Sequence, residues 1–172
     1  MNTNVGPDGA PPADSPHLRV LAQYVKELSF HNVAAASAQA YDIQPSIDMG
    51  VEVKSRSMGG ERSDAFEVDL CINVNAKRGD SLMFSADLVY SGVFQFMNVR
   101  QEDVEPLIWI ECPRLLFPFS RQILAEITRE GGYPPLLINP IDFTPLYWQE
   151  LRERQSRPGN EDVPLAQQAA SF

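Results

Sequence analysis

The chain has 172 residues, 23 of them acidic against 14 basic, with a formal charge of −9 and a pI near 4.6. Such a field repels phosphate backbones and anionic lipid, so no nucleic-acid partner is expected and a basic protein surface is the better match. The length suits one domain that needs no disulfide staples; the only cysteines, Cys71 and Cys112, and the lack of a signal-peptide pattern or long apolar run imply a reducing cytoplasm without membrane insertion.

Residues 1–17 are rich in Pro, Gly, Ala and Asp and cannot bury enough apolar surface to offset ordering, so they read as a disordered tail. Residues 156–172 have the same character, which leaves a folded domain over 18–155. Its first segment is ambiguous: Leu18, Leu21, Val25 and Leu28 fit a helix, while Leu18, Val20, Ala22, Tyr24, Leu28 and Phe30 fit a strand. Ile47, Met49, Val51 and Val53 then alternate as a strand. In the next segment Phe66, Val68, Leu70, Ile72, Val74 and Ala76 point one way, while Glu67, Asp69, Cys71, Asn73 and Asn75 point the other. Leu82, Phe84, Ala86, Leu88 and Tyr90 repeat the pattern. Turn signals at Met58-Gly59-Gly60 and Lys77-Arg78-Gly79-Asp80 make an antiparallel meander the simplest topology.

From Glu102 onward the period is helical. Pro113 is placed in a first turn, and Leu116, Phe119, Ile123 and Ile127 recur on one face until Gly131-Gly132 supply a left-handed stop. Pro118 is expected to kink or restart that helix. Asp142 can cap a last helix whose Phe143, Leu146, Tyr147 and Leu151 share a face. Strands followed by helices predict an α+β fold.

Catalytic patterns are absent from this order. A phosphatase-type loop needs an arginine six residues after its cysteine, where Cys112 is followed by Pro118, and Glu111 would raise the thiol pKa. A thiol hydrolase using Cys112 with Arg114 or Arg121 is the alternative from another class. His17, His31, Cys71 and Cys112 lack metal-ligand spacing, and neither glycine pair leads into Lys-Ser or Lys-Thr, so no metal, nucleotide or other cofactor is expected. Glu67, Asp69 and Asp87 read as the wet face of a half-covered sheet. Acidity is uneven: 12 acids against 6 bases lie between Asp42 and Glu105, consistent with one strongly negative face.

The run CPRLLFPFSRQILAEITREGGYPPLLINPIDFTPLY, from Cys112 to Tyr147, closely resembles the matching segment of SecB, the bacterial protein-export chaperone family. QYVKELSF, from Gln23 to Phe30, resembles that family's first strand, and SADLVYSGVFQF, from Ser85 to Phe96, its fourth. The resemblance implies a four-stranded antiparallel sheet with helices on one face, assembled as a homotetrameric dimer of dimers. It resolves the Leu18–Phe30 segment as a strand. It also implies ATP-independent holding of unfolded precursor proteins, delivered to the SecA motor for export, with no enzymatic activity. Carried over by position, the polypeptide groove would be lined by Tyr41, Ile43, Phe143, Leu146 and Tyr147, with Ile43 standing where other members have tryptophan. SecA would be met by Glu27 and Asp87, while His31 stands where related chains often carry glutamate. A chaperone of a toxin–antitoxin pair is the alternative within the same family.

Overall fold

The computed structural model describes residues 15–34, 45–59 and 64–156. Four antiparallel strands form one sheet: β1 (His17–Asn32), β2 (Ser46–Ser57), β3 (Ala65–Arg78) and β4 (Ser81–Met97), in the order β1-β4-β3-β2. The meander is β2-β3-β4, and β1 closes it by pairing with β4, Leu18 opposite Phe96 and Phe30 opposite Ala86. β1 starts at His17 and α3 ends at Ser156; residues 1–14 and 157–172, the greater part of the expected tails, lie outside the described residues.

β1 shows why its period was ambiguous. Register shifts between Val20 and Ala22 and between Val25 and Glu27 each absorb a residue, so the side facing the helices is Leu18, Val20, Gln23, Val25, Leu28, Phe30 and Asn32, the last donating to the Gly131 carbonyl at 2.7 Å. Ala22 and Tyr24, expected on the apolar side of a regular strand, lie opposite Val93 and Ser91 on the other face. β3 follows strict alternation, with Val68, Leu70, Ile72, Val74 and Ala76 at most 1 % exposed. The β3–β4 turn passes through Gly79 at φ 55°, a left-handed conformation that glycine adopts without strain.

After β4 the chain is helical from Gln101 to Glu130: α1 (Gln101–Pro106), a π-helical turn (Leu107–Glu111) and α2 (Cys112–Glu130). Pro113 therefore does not open a free-standing helix. It follows the π turn, whose wider winding gives room beside a residue that has no N–H to donate. The helix also runs through the exposed Pro118 without the expected restart. The face buried on the sheet is Leu116, Phe117, Ser120, Leu124 and Thr128 in place of the expected Phe119, Ile123 and Ile127, which lie on the flank; Phe119 is 46 % exposed. Ser120 and Thr128 can be buried because their hydroxyls donate to the Leu116 and Leu124 carbonyls at 3.2 and 2.8 Å. Gly132, at φ 85°, carries the left-handed stop; Gly131 keeps right-handed helical geometry (φ −71°), and a Cβ there would come within 2.6 Å of the Phe30 ring.

The last helix, α3 (Thr144–Ser156), starts as expected, with Asp142 Oδ1 accepting from the Thr144 backbone N–H at 3.0 Å. One core joins the inner faces of β3 and β4 to Ile108, Leu116, Leu124 and Phe143. α2 covers those central strands and leaves the inner faces of β1 and β2 partly open, with Val20, Val25, Leu28, Ile47 and Met49 exposed. Among the described residues no helix is long and apolar enough to cross a membrane.

Candidate functional site

The outer face of the sheet is a grid of cross-strand rows. One row is Ala22, Val93, Glu67 and Arg56, and the next is Tyr24, Ser91, Asp69 and Lys54. Although it was expected on the wet face, Glu67 is only 3 % exposed, because the β1 bulge brings Tyr24 and Lys26 over it from one side and Arg56 reaches it from β2. Its carboxylate accepts from Arg56 Nε, from the Tyr24 hydroxyl and from Lys26 Nζ at 3.1 Å. The Arg56 guanidinium above all, and then the Tyr24 and Lys26 donors, outweigh desolvation and hold the Glu67 carboxyl at about 2, below its ordinary 4.5. Lys26 Nζ also reaches Asp69 Oδ2 at 2.8 Å, and the Ser91 hydroxyl donates to Asp69 Oδ1 at 2.7 Å. Glu67 and Asp69 are thus occupied internally.

The other half of the face differs. Its rows are Glu27, Val89, Cys71 and Glu52; then Ser29, Asp87, Asn73 and Gly50; then His31, Ser85, Asn75 and Asp48. Glu27, Asp48, Glu52 and Asp87 are all exposed. Glu52 pairs with Lys54 at 3.2 Å, whereas Glu27, Asp48 and Asp87 have no ion-pair partner among the described residues; Asp87 accepts only from the Ser29 hydroxyl at 3.2 Å. Glu27 and Asp87 therefore fall in adjacent rows of an uncompensated negative patch. Asp48, on β2, joins it, while Glu52 on the same strand is compensated by Lys54; sequence reasoning missed Asp48 because only strand register reveals that it is a neighbour.

On the helix side, the predicted groove residues separate. Tyr41 and Ile43 lie outside the described residues. Phe143 is fully buried, edge-on to Phe117 with ring centroids 6.4 Å apart, while Tyr147 is 8 % exposed and Leu146 half-buried. The large apolar side chains actually presented nearby in sequence are Leu137, 68 % exposed, and Trp148, 55 % exposed and against the Tyr147 ring at 5.4 Å. Trp148 could have been found in the sequence as a bulky aromatic next to the apolar face of α3. α3 is tied down by Arg154, whose guanidinium lies 4.9 Å over the Trp109 ring and donates to Glu105 at 3.0 Å.

A second apolar area spans β1 and α2. Val20, Val25 and Leu28 are 40–44 % exposed, Leu115 41 %, and the Phe119 ring stacks on Tyr90 at 6.0 Å. A cleft of about 420 Å³ between the start of β1, the end of β4 and α1 is walled by Leu18, Val99, Leu107 and Ile110, with Asp103 and Glu111 also lining it; none of the predicted groove residues contributes.

Nucleophile chemistry finds no support in this arrangement. Cys112 is fully buried, and burial first, then the Glu111 charge, push its thiol far above the ordinary range. Arg114 is engaged by Glu111 at 2.7 Å. Among the described residues no group of His, Cys, Asp and Glu is arranged to hold a metal ion.

Comparison with known proteins places this geometry. Residues 12–154 match the family described as preprotein translocase subunit SecB. The chain is 49 % identical over 152 residues to the protein-export protein SecB of Hyphomonas neptunium, covering 88 % of this chain and 89 % of that one. It is 48 % identical to those of Maricaulis maris (87 % and 86 % covered) and Agrobacterium fabrum (91 % and 97 %). Among solved structures, a SecB-like chaperone of Mycobacterium tuberculosis, in complex with a ChAD peptide from the HigA1 antitoxin, shares the fold with a TM-score of 0.59 at 13 % identity, over 72 % of this chain and 90 % of that one.

Proposed function

The chain belongs to the SecB family of protein-export chaperones, and from that premise we propose that it is an ATP-independent holdase of the cytoplasm. It binds unfolded precursor proteins, keeps them competent for translocation and delivers them to SecA, without enzymatic chemistry of its own and without a cofactor. The observation that carries this reading is the division of the surface: exposed apolar side chains gather on the helix side, and unpaired carboxylates gather on the opposite face of the sheet. Apolar area removed from water contributes about 25 cal/mol per Å² whatever the guest sequence, so a holdase can be selective for unfoldedness alone. Exposed Leu137 and Trp148 suit that role, with half-buried Leu146 and buried Tyr147 next to Trp148 in α3 and Phe143 behind them in the core.

SecA is met by Glu27 and Asp87, extended by Asp48, through a basic surface of the motor. The apolar area on β1 and α2 is the contact between copies that builds a homotetramer, a dimer of dimers, since an uncovered patch of that kind marks an interface. No observation favours the toxin–antitoxin alternative: the antitoxin peptide belongs to the mycobacterial complex, which shares the fold alone.

The test is light scattering during dilution of a denatured precursor. Chaperone in at least stoichiometric amount suppresses aggregation equally with and without ATP; no suppression would refute the holding function. Charge reversal of Glu27 and Asp87 weakens SecA binding and spares holding, and equal loss of both would refute the assignment of those carboxylates.

A further inference from the structure

We propose that Asn32 and Tyr133 are positioning residues for guest binding: together they latch the α2–α3 connection to the end of β1, so that Leu137 is presented on a fixed strut. This rests on the holding function proposed above and deepens it by naming what keeps one of its apolar contacts in place. The junction begins at a helix end, where an α-helix leaves its last carbonyls without partners. α2 ends against β1, so close to the Phe30 ring that a Cβ on Gly131 would come within 2.6 Å of it. Asn32 Nδ2 donates to the Gly131 carbonyl at 2.7 Å, and Asn32 Oδ1 accepts from the Tyr133 hydroxyl at 2.7 Å. A carbonyl only accepts, so these two partners fix the orientation of the amide. The Met83 carbonyl, which accepts from the Val33 and Ala34 N–H groups at 2.9 and 3.0 Å, lies 3.3 Å from the same hydroxyl. The Tyr133 ring is buried and packs on Phe84 with centroids 4.7 Å apart. Phenylalanine would fill that space as well. The hydroxyl is tolerated there because it is bonded, and its bond joins β1 to the chain that leaves α2.

Tyr133 is the first of two anchors. Pro134 and Pro135 follow, each with its φ held by the ring and no N–H to satisfy. The Leu136 N–H then donates to Thr128 Oγ1 at 3.0 Å, and Ile138 is buried. Between these held neighbours Leu137 is turned out, 68 % exposed. An apolar side chain kept in water on a segment pinned before and after it is suited to meet the apolar side chains of an unfolded polypeptide. A contact that is already ordered loses little entropy when a guest arrives, so a pinned Leu137 retains the guest longer than a mobile one would.

The experiment follows release of fluorescently labelled, reduced and carbamidomethylated α-lactalbumin, which stays unfolded in buffer, from the full chain and its variants, alongside hydrogen exchange. Tyr133→Phe keeps the ring and removes only the hydroxyl. It speeds exchange at Leu136, Leu137 and Ile138 and raises the guest dissociation rate about 3–10-fold. Leu137→Ser raises that rate by a similar factor, and adding Tyr133→Phe to Leu137→Ser raises it no further, because the latch acts through that side chain. Asn32→Ala breaks the same junction from the β1 side and decides the matter if Tyr133→Phe is poorly folded. Parental release from both Tyr133→Phe and Asn32→Ala, or independent multiplication of the two effects in the double variant, would overturn the inference while leaving the holding function intact. A parent chain that retains no guest would remove the holding function itself, and the latch with it.

Discussion

Glu67 is a carboxylate whose water has been replaced by protein donors. Its stabilising effect follows from the depressed pKa: it is fully present above the ordinary 4.5, declines as the pH falls, and is gone below about 2. Allowing for the solvent around Arg56, Glu67→Gln lowers stability at pH 7 by about 1–2 kcal/mol. Urea titrations between pH 7 and pH 2 should show that gap closing as the acid limb is descended; a constant gap would contradict the assignment. Gly92 tests packing at the same scale. A Cβ there would meet the Phe94 ring at 2.6 Å and Leu116 Cδ2 at 2.9 Å, where α2 presses on β4. Gly92→Ala is therefore expected to cost about 1–3 kcal/mol in thermal or chemical unfolding. The sequence placed Glu67 on the correct face. Its burial depended on side chains 41 and 43 residues away, Lys26 and Tyr24, which a local pattern does not see.

The elements differ in how firmly they are held. α2 buries seven residues, five of them on the face turned to the sheet, while α3 buries Tyr147 alone and is otherwise fastened by Arg154 to Trp109 and Glu105 at the surface. Exposed pairs of this kind contribute about 0–1 kcal/mol. Hydrogen exchange should accordingly release α3 amides well before those of α2, and Arg154→Ala should speed exchange in α3 without moving the global unfolding midpoint. Loose attachment suits an element proposed to face unfolded guests of varied shape. Sequence periodicity read β2, β3 and β4 correctly because a sheet covered on one face imposes strict alternation. It misread the face of α2, since Phe119, Ile123 and Ile127 are as apolar as the residues that pack; a helix with apolar side chains on its flank as well gives no single stripe. In β1 the two bulges broke both periods.

At the scale of the molecule, charge and apolar surface are sorted to opposite sides of one sheet. If the acidic side meets SecA as proposed, that contact is screened: raising NaCl from about 50 to 500 mM weakens it several-fold, while the proposed suppression of aggregation by the apolar side is undiminished. Parallel loss of both activities with salt would mean that the two sides are not separate. The alternation of β2, β3 and β4, the turn glycine at 79 and the helical period after them were enough to establish fold class from the order of residues, because backbone periodicity is a local property, while the family was legible only through the resemblance of the Cys112–Tyr147 run to a known one. Which carboxylates stay free, which apolar residues stay exposed and what Asn32 meets were settled only by tertiary structure. Each depends on strand register and on what packs across from it, and a shift of one residue in an edge strand moves a side chain from one face of the sheet to the other.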